Sequence, residues 1–143
     1  MKTRNLIFTA IALFLGVNIS MAQSKADLPS EVTNYVDKHF SGQSIDKINI
    51  DENDKDEMYE LKLSDGTTLD FNSSGEAVEI NSKKGFSADA LPVAIAQKVK
   101  DKYGKAKIVD FEKENDGYEI EFEDGTEVDF DTAGNYIDNK RNR

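Results

Sequence analysis

The segment YELKLSDGTTLDF, residues 59–71, decides the fold because it alternates apolar and polar residues on both sides of an Asp-Gly turn. With Gly66 in the left-handed position of a three-residue loop, Leu61 lies opposite Leu69 and Tyr59 lies opposite Phe71. The apolar side chains then share one face of the hairpin, as a half-buried sheet requires. We therefore predict two antiparallel strands with one apolar face and one polar face.

The hairpin is present twice in the chain. The second copy, YEIEFEDGTEVDF at residues 118–130, follows the first at an offset of 59, whereas Leu28-Pro29 recurs as Leu91-Pro92 at an offset of 63. The difference places four extra residues in the first copy, around residues 51–57, where a loop tolerates an insertion. Because each copy has an apolar face to bury, we expect the twin copy to be its nearest packing partner.

Each copy begins with an amphipathic helix and continues as alternating strands. A proline suited to the first helical turn is followed by apolar residues at three- or four-residue spacing. These positions are Pro29, Val32, Val36 and Phe40 in the first copy, and Pro92, Ile95, Val99 and Tyr103 in the second. A strand follows each helix, then the hairpin, then a turn at Gly75 or Gly134 and a fourth strand carrying Val78 and Ile80, or Tyr136 and Ile137.

These patterns predict an α+β fold of two tandem repeats, each one helix followed by a four-stranded antiparallel meander. The predicted boundaries are a signal peptide at residues 1–22, a first repeat at 23–80, a connector at 81–90 and a second repeat at 91–143.

The first 22 residues have the organisation of a secretory signal peptide. A short cationic start is followed by a 14-residue apolar run, Leu6 to Ile19, and by Ser20-Met21-Ala22 with small residues at the cleavage positions. The apolar run is too short for a membrane span, which needs about 20 residues. We predict cleavage after Ala22 and a periplasmic or secreted protein that is not held in a membrane.

Charge and composition exclude several functions. Loss of Lys2 and Arg4 with the signal peptide changes the formal net charge from −10 to −12, and so acidic a protein repels nucleic acids and anionic lipids. The chain has no cysteine, which removes thiol catalysis and thiolate metal sites. Its one histidine, His39, has no partner motif for a serine nucleophile or a metal centre. We predict neither enzymatic activity nor a cofactor.

The polar face of the hairpins places acidic residues opposite one another. The predicted register sets Glu60 opposite Asp70 and Glu119 opposite Asp129, and facing like charges destabilise a sheet. One interpretation is a binding face for a cationic surface or a metal ion, and the other is a solvated face that charge keeps soluble. The candidate binding face comprises Glu60, Asp70, Glu119, Glu121, Glu127 and Asp129.

Three acidic segments resemble weak cation sites without completing one. Residues 70–75 and 129–134 open like a calcium loop, but position twelve is Asn81 or Lys140 where a bidentate acid is needed. Asp, Asn and Gly in a turn between strands explain both segments without an ion. Residues 51–57 carry five acids around Lys55 and are predicted to form a charged loop. We therefore assign no metal ligands.

The chain resembles the PepSY-like domains of exported bacterial proteins, which are also described as β-lactamase-inhibitor-like. The resemblance rests on the Leu-Pro helix starts, the strand after each helix, the hairpins turning on Asp-Gly, and the Phe-x-x-x-Gly returns at residues 71–75 and 130–134. It implies that the two repeats join in one larger antiparallel sheet with helices on one side and an open face on the other. In true β-lactamase inhibitors that face grips the enzyme, but those proteins carry disulfides and this chain has none.

Three functional hypotheses follow. The first is a non-catalytic exported module whose acidic sheet face binds a protein partner with a basic surface. The second is a protein that binds calcium or another divalent cation, and the third, from the resemblance alone, is an inhibitor of an exported peptidase or other hydrolase. The oligomeric state is left open.

Overall fold

A computed structural model describes residues 23–137. The predicted signal peptide and residues 138–143 lie outside the described residues. Two α-helices and seven strands make up the described part, with a 3-10 turn before each helix at Lys25–Asp27 and Ala88–Ala90. The elements in chain order are α1 (Ser30–His39), β1 (Ile45–Ile50), β2 (Tyr59–Leu63), β3 (Thr68–Phe71), β4 (Ala77–Phe86), α2 (Val93–Tyr103), β5 (Ile108–Glu114), β6 (Gly117–Phe122) and β7 (Glu127–Asp131).

The strands form one antiparallel sheet in the order β1-β2-β3-β4-β5-β6-β7. Each strand therefore pairs with its neighbours in the chain, and α2 is inserted between β4 and β5 without changing that order. This confirms the prediction of one larger antiparallel sheet.

Both helices begin and end close to the predicted residues. Pro29 and Pro92 are the residues that immediately precede them, and the C-terminal cap of α2 is Gly104 with a φ of 61°. The buried side chains are those of the predicted apolar stripes: Val32 and Val36 in α1, and Ile95 and Val99 in α2. Periodic apolar residues set which side of each helix is buried.

The hairpin registers are the predicted ones. Leu61 pairs with Leu69 and Glu60 with Asp70 in the first copy. Ile120 pairs with Val128 and Glu119 with Asp129 in the second. Both turns close on a left-handed glycine, Gly66 (φ 89°) or Gly125 (φ 82°), as the three-residue loop requires.

The structure corrects two details of the strands. Residues 81–86, predicted to belong to the connector, form the second half of β4, because that half continues the pairing with β5 through Asn81 and Phe86. The fourth strand of the second copy was predicted at Tyr136 and Ile137. Within residues 23–137 it is reduced to a single bridge between Phe130 and Tyr136.

One apolar row crosses all seven strands and forms the centre of the core. In register across the sheet it consists of Ile48, Leu61, Leu69, Ile80, Phe111, Ile120 and Val128. Both helices contact this face, since the Tyr35 ring lies 5.3 Å from that of Phe71 and the Tyr103 ring lies 4.6 Å from that of Phe122. Burial of each large apolar side chain contributes about 1.5–3 kcal/mol to stability.

Candidate functional site

A row of acidic residues crosses the opposite face of the sheet in parallel with the apolar row. Adjacent strands pair so that one carboxylate follows another from β2 to β7, with Asn49 of β1 at the head of the row. The acidic row, as it is called below, comprises Glu60, Asp70, Glu79, Glu112, Glu119 and Asp129. Strands lie about 4.8 Å apart, so these six residues span about 24 Å across the sheet.

The structure brings together four of the six residues predicted for the binding face. Glu60, Asp70, Glu119 and Asp129 are members of the acidic row. The remaining two, Glu121 and Glu127, pair with each other two residues along the strands from the pair Glu119–Asp129. There they extend a second row that includes Asp110, whose partner across the strands is Glu121.

Sequence reasoning missed the middle of the row. Glu79 on β4 and Glu112 on β5 pair directly and join the acidic pairs of the two copies into one continuous series. Each lies in an alternating segment, so the sequence contained a signal for the face that each occupies. It contained no comparable signal for the pairing of β4 with β5, which places them side by side.

Crowding of carboxylates on the sheet changes their acidity. Burial, and then the neighbouring charges of Asp70, Asp110 and Glu112, raise the pKa of Glu79 to about 8. Burial, followed by the charge of Glu60, raises the pKa of Asp70 to about 7. The pKa of Glu119 also rises to about 7, through burial and the charge of its partner across the hairpin. These three side chains of the acidic row therefore ionise at higher pH than ordinary carboxyl groups do.

Neighbouring amide side chains contact the acidic residues of this face. The Asn49 amide donates a 3.0 Å hydrogen bond to Glu60, and the Asn81 amide donates a 2.9 Å hydrogen bond to Asp110 in the second row. Within residues 23–137, none of the acidic-row residues from Glu60 to Glu119 forms a salt bridge with a lysine. The negative charge of the row from Glu60 to Glu119 is therefore not neutralised by a lysine salt bridge within the described residues.

A cleft of about 500 Å³ lies beside the middle of the acidic row, at the end of the sheet where β3 turns into β4 and β5 turns into β6. It is lined by Glu79 and Glu112 of the row, by Glu57 of the long β1–β2 loop, and by Glu114 and Asp116. The cleft is therefore acidic and continuous with the sheet face.

The calcium-like segments are occupied by their own backbone. The Asn72 side-chain oxygen accepts hydrogen bonds from the backbone N–H groups of Ser74 and Glu76, each at 3.0 Å. Asp131 similarly accepts one from Asn135 at 2.8 Å. In the described part of the chain, no three His, Cys, Asp or Glu side chains are grouped closely enough to hold a metal ion.

The chemistry available to this face is binding of positive charge. His39 is at the end of α1, with its ring 4.6 Å from that of Tyr35, which packs on Phe71 of the apolar face. Carboxylates with raised pKa values occur at catalytic sites, but ion clusters with a structural origin produce the same shifts. Here burial and mutual repulsion account for them.

Comparison with known proteins finds a matching family model and several similar solved structures. A family model described as beta-lactamase-inhibitor-like and PepSY-like matches residues 17–69 and, overlapping them, 57–138. No curated protein matches the chain. Neither helix within residues 23–137 is long and apolar enough to cross a membrane.

Three solved structures are similar over most of their length. A candidate periplasmic protein of unknown function from Bacteroides vulgatus is 35% identical, covers 80% of this chain and 93% of its own, and has a TM-score of 0.63. A candidate calcium-regulated periplasmic protein from Bacteroides thetaiotaomicron is 26% identical, with coverages of 82% and 93% and a TM-score of 0.67. Another candidate periplasmic protein from B. vulgatus is 27% identical, with coverages of 86% and 98% and a TM-score of 0.68.

Proposed function

This chain belongs to the PepSY-like family, and we propose that it is a non-enzymatic exported binding module whose acidic sheet face engages the basic surface of a protein partner. One observation carries the proposal: six carboxylates lie in register across six strands on the face opposite the apolar core. Export is supported by the signal-peptide pattern and by the periplasmic description of similar structures.

The energetics favour binding over a purely solubilising role. A face that only keeps a protein soluble gains nothing from placing like charges directly opposite one another, since each facing pair destabilises the sheet. A cationic partner relieves that repulsion on binding, and complementary charge accelerates association. The stability lost in the free protein then becomes binding free energy in the complex.

A Lys-rich peptide of 15 residues tests the site, with affinity measured by isothermal titration calorimetry. The row variant Glu79→Gln/Glu112→Gln/Glu119→Gln/Asp129→Asn removes four carboxylates and is expected to lose at least tenfold in affinity at 50 mM salt. A loop variant that removes four carboxylates away from the sheet face and the cleft, Glu52→Gln/Asp54→Asn/Asp65→Asn/Asp124→Asn, is the control for net charge.

Equal losses in the two variants would mean that net charge, and not the acidic row, binds the peptide. The same pair of variants then serves as bait for exported proteins. A partner that depends on the sheet face binds the wild type and the loop variant, but not the row variant.

Divalent-cation binding is the second candidate, and the observation that favours it is the similar structure described as calcium-regulated. The described residues contain no ready cluster of three ligands, so an ion would have to draw the acidic pairs together. Thermal unfolding in calcium, in magnesium and in chelator tests this, because a ligand that binds only the folded state raises the midpoint. A calcium-specific rise that disappears in the row variant would support it, and an unchanged midpoint would exclude it.

Inhibition of an exported hydrolase is suggested by the family description alone. Excess protein assayed against a panel of exported peptidases and β-lactamases is expected to slow at least one enzyme if this function is correct. Unslowed turnover across the panel would count against it.

A further inference from the structure

A groove rimmed by lysines lies at the end of the sheet that is opposite the long β1–β2 loop. It has a volume of about 730 Å³ and lies between β4, the 3-10 turn before α2 and the end of α2. The groove is lined by Lys84, Lys100, Lys105 and Lys107, with Asp89 as its one acid, and Phe86, Ala88 and Ala106 contribute apolar surface. Four lysines against one aspartate are a local excess of positive charge in a chain of net charge −10.

A bulge in β4 builds one wall of this lysine groove. Between the pairs Asn81–Asp110 and Phe86–Ile108, four residues of β4 lie against one residue of β5. The buried Ser82 hydroxyl bonds to the buried Thr67 hydroxyl at 2.9 Å, which ties the bulge to the neighbouring β2–β3 turn. Lys84 lies within this bulge, and its side chain is exposed.

Two of the four lysines have no acidic partner in the described part of the chain. Lys100 forms a salt bridge with Asp89, and Lys107 lies 3.9 Å from Glu123. Lys84 and Lys105 are exposed, and neither forms a salt bridge within residues 23–137. These two ammonium groups are available to an anion.

The fold does not require these lysines. At the offset of 63 that relates the two copies, the first copy builds the same helix end and turn with other residues. There Asp37, Gly42 and Ser44 stand where the second copy has Lys100, Lys105 and Lys107. The positive charge is an addition to the second copy alone.

The first copy has a complementary addition at the other end of the sheet. Its β1–β2 connection, residues 51–58, carries five acids in an exposed stretch, whereas the second copy connects the equivalent strands with Asn115 and Asp116 alone. This acidic loop is ordered: Asp54 accepts from the backbone N–H groups of Asp56 and Glu57, and Ser73 donates its N–H to the carbonyl of Lys55. A preorganised loop loses little conformational entropy on binding.

We propose that the lysine groove receives the acidic loop of a second copy of this chain. Turns of an antiparallel meander alternate between its two ends, which places the loop and the groove on opposite ends of each molecule. Contact between different surfaces of identical molecules is head-to-tail, so it extends to further copies unless a ring closes. Ionic strength controls the association, because both surfaces are exposed and salt screens their attraction.

Sedimentation velocity of the protein recovered from the exported fraction tests the proposal. At 20 mM NaCl the weight-average sedimentation coefficient is expected to rise with protein concentration, and at 500 mM NaCl it is expected to stay at the monomer value. Lys84→Glu/Lys105→Glu should weaken the association at least tenfold. Lys25→Glu/Lys62→Glu, with the same change in net charge outside the groove, should weaken it much less. Circular dichroism verifies that each variant is folded.

A charge exchange makes the test specific. Glu52→Lys/Asp56→Lys in the loop should also weaken the association at least tenfold. Mixing that variant with Lys84→Glu/Lys105→Glu should restore it, because each reversed surface then meets its complement. Absence of self-association in the wild type, association that resists 500 mM salt, or failure of the mixture to associate would each overturn the proposal. The inference does not rest on the acidic row, and the row variant should still self-associate even if it no longer binds the Lys-rich peptide.

Discussion

Replacement of Glu79 by glutamine should stabilise the protein, although it removes a charged group from a highly charged chain. Glu79 lies in the middle of the acidic row, paired with Asp70 on one side and with Glu112 on the other. Glutamine has nearly the same shape and keeps the oxygen of the side chain. The substitution therefore removes the charge and its repulsions without opening a cavity in the core.

The structure sets the size of the effect. Burial and neighbouring carboxylates raise the pKa of Glu79 from 4.5 to about 8. At 1.36 kcal/mol for each pKa unit, full ionisation of this side chain costs the folded state at most about 5 kcal/mol. Partial exposure to water and salt weakens such interactions considerably. We expect Glu79→Gln to raise the free energy of unfolding by about 1–3 kcal/mol at pH 8.5.

The sign of the pH dependence follows from the raised pKa. Between pH 4.5 and pH 8 the folded state holds a proton that the unfolded state has released, so stability falls as pH rises through this window. The raised pKa values of Asp70 and Glu119, both about 7, act in the same direction. The wild type should thus be more stable near pH 5 than near pH 8.5, and the advantage of Glu79→Gln should nearly vanish at pH 4.5.

Urea unfolding of wild type and variant at pH 4.5, 7 and 8.5 measures this, with the midpoint and the slope analysed separately. Glu52→Gln, in the exposed acidic loop, removes the same charge away from the sheet and serves as the matched control. A variant that is no more stable than the wild type at pH 8.5, or equally more stable at all three pH values, would refute the conclusion that burial and neighbouring carboxylates raise the pKa of Glu79.

Three further substitutions test the fold by urea unfolding. Thr67→Val leaves the buried Ser82 hydroxyl without its 2.9 Å partner and should cost about 1–3 kcal/mol, and adding Ser82→Ala should recover part of that loss. A cost unchanged in the double variant would show that the hydroxyl pair is not responsible. Gly117→Ala places a methyl group 1.8 Å from the carbonyl oxygen of Phe130, and should destabilise by more than 2 kcal/mol, so near-wild-type stability would contradict the close approach of β6 and β7. Tyr35→Phe removes a 2.6 Å hydrogen bond to the 3-10 turn before α2 and should cost about 1 kcal/mol, whereas an unchanged midpoint would mean that the bond contributes nothing.

Local sequence patterns determined the hairpins and the helices. Alternation fixes which side chains share a face, and the Asp-Gly turn sets the register, so the pairs Glu60–Asp70 and Glu119–Asp129 were predictable without a structure. All of these contacts join residues close together in the chain. The spacing of apolar residues after each proline similarly determined the buried stripe of each helix.

The extent of β4 was harder to predict. Lys83-Lys84-Gly85 has the composition of a loop, yet it lies inside a strand because β5 supplies hydrogen-bonding partners on both sides of the bulge. Local composition predicts what a segment does alone, and a distant strand can reverse that preference.

Only the tertiary structure decided that the two sets of acidic pairs form one row. Glu79 and Glu112 are 33 positions apart and meet because α2 returns the chain so that β5 pairs with β4 in one particular register. Alternation is satisfied equally by a shift of two residues, which would keep both side chains on the same face but would separate them. Packing of the apolar row on the other side of the sheet selects among these registers, since the paired Ile80 and Phe111 are both fully buried. The sequence thus determined which residues are acidic and on which face they lie, whereas packing of the shared core determined that they are neighbours.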